Sequence, residues 1–143
     1  MKKIILTLFS FVIMSSAFIS YAHAEKFNYV SQKGFKTWLE SEKKILICDI
    51  QPENGFNKHH FKKAIETNAY PAKTKSDLKK LKPFIQKAKN SDKDIVIICP
   101  RGKGGAKRTY SYLKKNNFPE KRLFILEGGA NGWPYKEFES KSE

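Results

Sequence analysis

Three short runs of consecutive apolar residues constrain the fold of this chain more than any other feature. They occupy positions 45–48, 95–98 and 123–126. Runs of this length without polar interruption are typical of strands that are buried on both faces, as in a parallel sheet. Segments with helical spacing separate them, so strands and helices alternate along the chain. The sequence therefore predicts an α/β fold with a largely parallel sheet and helices on both faces.

The segments between these runs are assigned from capping residues and from the spacing of apolar side chains. Ser31 is a typical helix cap, Pro83 should split or kink the helix that contains it, and Asn116-Asn117 suits a left-handed helix stop. The predicted helices occupy residues 32–42, 76–89 and 105–116. The other predicted segments are a strand at 27–30, a loop at 51–60, a short strand or extended piece at 63–69 and a polar tail after residue 134.

One stretch offers chemistry that such a fold could present. Cys99 directly follows the second apolar run and precedes the segment Pro-Arg-Gly-Lys-Gly-Gly. Glycines let backbone N–H groups converge on an anion, and the N-terminus of the following helix adds about half a positive charge. Arg101 and Lys103 add two full charges. These features favour the thiolate of Cys99 and an anionic substrate beside it, and the alternative is an inert buried thiol at a plain turn.

The chain has only two cysteines, Cys48 and Cys99. In an oxidising compartment two cysteines could form a disulfide, but both follow buried-strand patterns. A bridge would also quench a nucleophile at Cys99. The sequence favours Cys48 as a buried core residue and leaves a bridge between the two cysteines open.

Residues 1–24 have the composition of a secretory signal. Two lysines precede a long apolar stretch, and Ala22-His23-Ala24 has small residues at the two positions that a signal peptidase reads. The pattern predicts cleavage after Ala24, a single domain over residues 25–143 and a periplasmic or secreted protein. The alternative is an uncleaved membrane anchor, because the apolar stretch approaches the shortest spanning length of about 17 residues.

The charge balance indicates an anionic partner. Lysine and arginine number 28 against 14 acidic residues, so the formal net charge is +14. Charge of this sign attracts small anions and anionic surfaces. The lysines of residues 73–93 are spread through a helical pattern, as on a solvated face, and an exported protein has little access to nucleic acid. We therefore expect no nucleic-acid partner, and a membrane contact only if the signal is uncleaved.

Four features follow one another along the chain in a recognisable order. They are Asp49 at a strand end, His60 in the following loop, the Cys99 loop with a helix after it, and the closing segment Leu-Glu-Gly-Gly-Ala-Asn-Gly-Trp at 126–133. In this order they resemble the single-domain rhodaneses, which are thiosulfate-type sulfurtransferases. The resemblance covers about residues 29–134. It implies the rhodanese-like three-layer fold, with helices on both faces of the sheet.

The resemblance also implies sulfur transfer without a metal or an organic cofactor. Cys99 would attack the outer sulfur of thiosulfate or a polysulfide, become a persulfide, and pass that sulfur to cyanide or an acceptor thiol. Asp49 and His60 would have supporting roles as hydrogen-bonding groups rather than as proton shuttles. The loop would stabilise the persulfide and hold the donor anion through Arg101, Gly102, Lys103, Gly104 and Gly105.

Several positions depart from the family pattern. Gln51 stands where the family usually has arginine, so we expect one cationic contact to the substrate to be missing. His59 and Lys63 replace glycines. Gly104-Gly105 replaces an arginine or threonine followed by serine. These departures bear on the identity of the substrate more than on the chemistry of the thiol.

Two alternative functions remain open from the sequence. One is an exported sulfur carrier or redox module with little free turnover. This alternative stays open because Gln51 stands where the family has arginine. The other is a phosphatase or arsenate reductase of related fold. In that second class, an arginine six residues after the cysteine ends the loop, and this chain has Gly105 at that position. Arg108 is expected to lie too far along the helix to reach a phosphate in the same loop.

Overall fold

The computed structural model describes residues 24–142. Apart from Ala24, the predicted signal at residues 1–24 therefore lies outside the described residues. Within residues 24–142, no helix combines the length and the apolar character that crossing a bilayer requires.

The centre of the fold is a parallel sheet of five strands with the order β1-β6-β5-β2-β4. Its strands are β1 (Tyr29–Val30), β2 (Ile45–Asp49), β4 (Ile65–Glu66), β5 (Asp94–Ile98) and β6 (Leu123–Leu126). Two further strands, β3 (His60–Phe61) and β7 (Glu139–Ser140), form a separate antiparallel pair. The three apolar runs become β2, β5 and β6, which are adjacent in the sheet, so their prediction as buried strands is confirmed.

Five helices connect the strands. They are α1 (Gln32–Glu40), α2 (Glu53–Lys58), α3 (Lys75–Lys79), α4 (Lys82–Lys89) and α5 (Gly104–Lys115). Ser31 caps α1 as predicted, because its hydroxyl accepts a hydrogen bond from the Gly34 N–H. The helix predicted at 76–89 is split as expected, with Pro83 in the first turn of α4, where a missing N–H costs nothing.

A hydrophobic core lies on each face of the sheet. One core receives α4 and α5, which bury residues such as Phe84 and Tyr110 against one set of strand side chains. The other receives α1 and the aromatic segment near the C-terminus, where Phe35 packs against Trp133. The fold is therefore a three-layer α/β domain, and the predicted fold class is confirmed. Cys48 pairs with Ile97 in the neighbouring strand, and side chains two positions apart lie on the same face of a sheet. Cys48 and Cys99 therefore both face the first core.

One prediction of local structure is wrong, and another is incomplete. Residues 51–60 were expected to form a loop, but they contain α2, which buries only Phe56 and so has no apolar stripe to reveal it. For the segment after residue 134 the sequence predicts a polar tail, and the structure adds the strand β7 there, which pairs with β3 in the register His60 to Ser140. A ladder of two residues on each strand depends on tertiary contact, which the sequence pattern does not report.

Candidate active site

Cys99 lies immediately after β5, at the carboxyl edge of the sheet, and only 1% of its surface is exposed. The chain then turns through Pro100 and Gly102 before α5 begins at Gly104. Gly102 has a φ of +65°, a left-handed conformation that favours glycine, and this turn brings its N–H within 3.2 Å of the Cys99 sulfur. The loop therefore supplies a backbone donor to the thiol.

The turn after β6 holds the cysteine loop in place. The N–H of Ala130 donates to the Cys99 carbonyl, and the N–H of Asn131 donates to the Pro100 carbonyl, both at 2.9 Å. Gly129 has a φ of +60°, and a Cβ atom there would lie 2.2 Å from the Cys99 carbonyl oxygen. Only glycine fits so close to the loop. The closing segment of the sequence thus serves to position the thiol.

The thiol opens into a cavity of about 210 Å³, which we call the thiol cavity. Five of its lining residues belong to the site predicted from the sequence: Cys99, Arg101, Lys103, Gly104 and Gly105. Four others come from elsewhere in the chain: Tyr70, Pro71, Lys73 and Arg108. Gly102 is buried behind the thiol and contributes its N–H. Four of the lining side chains are cationic and none is acidic, so the cavity favours an anion.

Arg108 is the residue that the sequence analysis misplaced. It was expected to lie too far along the helix, yet it lines the thiol cavity. Its Nε and Nη2 atoms donate to the Pro71 carbonyl at 3.0 and 2.8 Å. Side chains in a helix point back toward its N-terminus, and residue 108 is one turn after Gly104. That spacing is the signal that could have placed Arg108 at the start of α5.

Asp49 ends the neighbouring strand β2 and is fully buried. Its carboxylate accepts hydrogen bonds from the N–H of Gln51 at 2.9 Å and from the Gln51 side chain at 3.1 Å. Burial raises the pKa of Asp49 to about 6, and the two bonds from Gln51 oppose this rise. Asp49 does not line the thiol cavity, so its predicted supporting role can act only through the local structure.

His60 and Gln51 are also held by contacts within the fold. The His60 ring stacks on Phe56 with a centroid distance of 4.0 Å, and its Nδ1 lies 2.9 Å from the Phe56 carbonyl oxygen. Gln51 is 2% exposed and donates to the carbonyl of His59 at 3.2 Å as well as to Asp49. Neither residue lines the thiol cavity. In this chain the Gln51 side chain is therefore hydrogen-bonded within the fold and does not line the thiol cavity.

The two cysteines are both free. Cys48 is fully buried, and burial raises the pKa of its thiol well above the ordinary value, with the charge of Asp49 acting in the same direction. Among residues 24–142, no group of three or more His, Cys, Asp or Glu side chains is arranged to hold a metal ion. The chemistry that the described residues offer is that of a single thiol beside an anion site.

Comparison with protein families gives one match. Residues 31–136 match the sequence profile of the family described as Rhodanese-like domain. The curated proteins contain no significant match to the chain.

Several solved structures are similar in fold. A rhodanese-like domain protein from Staphylococcus aureus is 18% identical, with a TM-score of 0.62 over 82% of this chain and 100% of its own. A thiosulfate sulfurtransferase from Pseudomonas aeruginosa is 15% identical, with a TM-score of 0.57 over 82% of this chain and 20% of its own. An As-Sb reductase from Leishmania major is 17% identical, with a TM-score of 0.54 over 76% of this chain and 77% of its own.

Proposed function

The chain belongs to the rhodanese-like domain family, and from this premise we propose that it is a sulfurtransferase in which Cys99 carries the sulfur as a persulfide. The observation that carries the proposal is the position of the thiol. Cys99 receives the Gly102 N–H at its sulfur and lines a cavity whose charged side chains are all cationic. A thiol that is both hydrogen-bonded by the backbone and open to an anion cavity suits attack on an anionic sulfur donor.

In the first step, the Cys99 thiolate attacks the outer sulfur of thiosulfate. A new sulfur–sulfur bond forms at Cys99, the sulfur–sulfur bond of thiosulfate breaks, and sulfite leaves with the electron pair of that bond. The products are a cysteine persulfide anion and sulfite, so charge is conserved. A polysulfide would react in the same way, with the shortened polysulfide as the leaving group.

In the second step, an acceptor removes the outer sulfur. Cyanide or a small thiolate attacks it, the bond to Cys99 breaks, and the thiolate is regenerated. Between the two steps the persulfide carries a negative charge, which backbone N–H groups at the start of α5 and the cations of the cavity would stabilise. Neither step needs a metal, a cofactor or a proton acceptor, and neither Asp49 nor His60 is among the residues that line the thiol cavity.

We also propose that the protein acts after export, in the periplasm or outside the cell. The proposal rests on residues 1–24, whose lysines, apolar stretch and Ala-His-Ala segment have the pattern of a cleaved signal. Cleavage removes Lys2 and Lys3 and no acidic residue, so the net charge falls from +14 to +12, which still suits capture of small sulfur anions there. Mass analysis of the protein recovered from the exporting cell tests this directly, because cleavage after Ala24 leaves Glu25 as the first residue.

The enzymatic test is the formation of thiocyanate from thiosulfate and cyanide. We expect many turnovers per protein molecule for the wild type and for Cys48→Ser, and none above background for Cys99→Ser. Cys48→Ser is the matched control because it also removes one thiol from the first core. If Cys99 takes up sulfur but thiocyanate does not form repeatedly, the sulfur carrier is favoured over the enzyme. An active Cys99→Ser variant would refute the proposal.

The position of Arg108 supports a second candidate function. A guanidinium in a cysteine cavity can hold phosphate or arsenate, and one structural neighbour is an As-Sb reductase. Hydrolysis of p-nitrophenyl phosphate, and oxidation of a small thiol in the presence of arsenate, would test this class. Activity in either assay that is lost in Cys99→Ser, together with no sulfur uptake, would favour it over sulfur transfer.

A further inference from the structure

Arg108 differs from the other cations of the thiol cavity in how it is held. Lys73, Arg101 and Lys103 are exposed, whereas Arg108 is half-buried. Two of its nitrogens, Nε and Nη2, donate to the same carbonyl oxygen, that of Pro71, at 3.0 and 2.8 Å. Among residues 24–142, no hydrogen bond is formed by Nη1. The guanidinium is therefore fixed along one edge, and the nitrogen at its other edge remains for a ligand.

The glycine at the start of α5 makes room for this guanidinium. A Cβ atom on Gly104 would lie 3.0 Å from Nη1 of Arg108 and 3.4 Å from Nη2. A side chain at position 104 would thus press on the guanidinium, which would have to move by a few tenths of an ångström from its place on the Pro71 carbonyl. Space is also tight at Gly105, because a Cβ atom there would lie 2.9 Å from the ring of Tyr70, which also lines the cavity.

We propose that Arg108 is the residue that binds the anionic end of the substrate in the thiol cavity, and that Gly104 is required because it leaves room for the guanidinium. The proposal rests on the proposed function and deepens it. It gives a physical role to two glycines where the family more often has larger residues, and to an arginine that lies nine positions after the cysteine rather than within its loop.

The geometry implies a preference among sulfur donors. Arginine presents its N–H groups in a fixed plane, which matches the oxygens of a sulfonate better than a flexible lysine does. The Pro71 carbonyl fixes the plane in advance, so little conformational freedom is lost on binding. Donors that carry a sulfonate or similar oxyanion should therefore load Cys99 faster than uncharged organic trisulfides, and Arg108 should account for the difference.

The test uses two alkylating agents that differ mainly in charge. Iodoacetate is an anion and iodoacetamide is neutral, and each replaces its iodide with the Cys99 sulfur. The ratio of the two rate constants, divided by the same ratio for a small free thiol, measures anion binding beside Cys99. General changes in the exposure or ionisation of the thiol cancel in this ratio, so a purely structural role for Arg108 would leave it unchanged.

We expect the ratio to fall about tenfold in Arg108→Gln, as for the loss of a hydrogen bond to a charged group. Arg108→Lys should recover part of it. Gly104→Ala should lower the ratio as well, because it displaces the guanidinium while it keeps every charge. Arg122→Gln is the matched control, since Arg122 also donates through Nε and Nη2 to backbone carbonyls, those of Ser91 and Lys93, far from the thiol.

An unchanged ratio in both Arg108→Gln and Gly104→Ala would overturn the proposal. If Arg108→Gln does not fold, Gly104→Ala and Arg108→Lys decide the matter, because alanine is favourable at the start of a helix and lysine keeps the charge. The outcome is independent of sulfur transfer. A wild type that takes no sulfur from thiosulfate refutes the proposed function, whereas sulfur uptake with an unchanged alkylation ratio refutes only the role of Arg108.

Discussion

Strands β2 and β5 lie side by side, with Cys48 near the end of β2 and Cys99 just beyond the end of β5, but the surroundings of the two thiols differ. The register pairs Cys48 with Ile97, so Cys99 lies two residues further toward the carboxyl edge of the sheet. Cys48 is inside a strand and is covered on all sides, whereas Cys99 is the first residue beyond its strand and opens into the thiol cavity. A shift of two residues separates a thiol that is enclosed by the core from one that lines the thiol cavity.

The residues that follow each cysteine increase this contrast. After Cys48, the side chains of Asp49 and Gln51 are buried and bond to each other. After Cys99, the side chains of Arg101 and Lys103 are exposed at the cavity. From this difference we expect the reactivity of a strand-end thiol to depend on whether the polar side chains that follow it point into the fold or toward a ligand.

The largest expected effect is on thiol labelling. Iodoacetamide should label Cys99 about 10³ times faster than Cys48 in the native protein, because Cys48 reacts only after an opening that costs several kcal/mol. Labelling followed by quenching, digestion and peptide mass analysis measures both rates in one sample. In concentrated guanidinium chloride the two rates should become similar. If the two labelling rates in the native protein are within tenfold of each other, the two thiols do not differ in reactivity as we expect.

The next effect concerns the turn that holds the Cys99 loop. Gly129→Ala should lower the free energy of unfolding by about 4 kcal/mol, since alanine is strained at a positive φ and its Cβ would meet the Cys99 carbonyl. Urea unfolding measures the loss. Gly55→Ala in α2 is the control, because Gly55 is not among the glycines with a positive φ and its Cβ would come no closer than 3.3 Å, to the Gln51 side chain; it should change stability by about 1 kcal/mol or less.

Asp49, at the end of β2, should make the free energy of unfolding depend on pH. Its pKa is about 6 in the fold, above the ordinary value of 3.8, so the folded state holds the proton more tightly than the unfolded state does. Stability from this group is fully present below about pH 4 and is lost as the pH rises to about 6, by about 3 kcal/mol.

Asp49→Asn isolates this contribution because asparagine does not titrate. The difference in unfolding free energy between wild type and Asp49→Asn should shift by about 3 kcal/mol in favour of the variant between pH 4 and pH 7. Urea unfolding at several pH values gives the curve. If this difference in unfolding free energy is constant across the range, the surroundings of Asp49 do not raise its pKa.

The smallest expected effect concerns the exposed charges at the thiol cavity. Raising the ionic strength from about 0.02 to about 0.2 M should slow loading of Cys99 by thiosulfate about threefold, because salt screens Arg101 and Lys103. Rates of sulfite release measure this step. Alkylation by neutral iodoacetamide is the control and should hardly change. Equal salt dependence for the two reagents would mean that the charges of the cavity do not attract the donor.

Much of the fold could be predicted because its signals are local. The apolar runs of β2, β5 and β6, the Ser31 cap and the stop at Asn117, with a φ of 67°, each depend on a few consecutive residues. The position of Cys99 after a strand follows from the same signals. By contrast, α2 has a single buried residue, and the pairing of β3 with β7 joins segments that are far apart in the sequence.

The candidate site was predicted only in part for the same reason. The loop residues Arg101, Lys103, Gly104 and Gly105 are adjacent to Cys99 in the sequence, and they line its cavity. The wall formed by Tyr70, Pro71 and Lys73 comes from a segment that tertiary packing brings to the loop. Arg108 could have been found from the helical spacing alone, since it lies one turn after Gly104.

The intact mass of the protein after incubation with thiosulfate, and separately with polysulfide, tests the central claim most directly. We predict that the wild type and Cys48→Ser each gain about 32 Da, the mass of one sulfur, that cyanide removes this gain, and that Cys99→Ser shows none. The rate of loading by each donor then indicates which class the cavity prefers. No gain in Cys48→Ser with Cys99 free, or a cyanide-sensitive gain that persists in Cys99→Ser, would contradict the account.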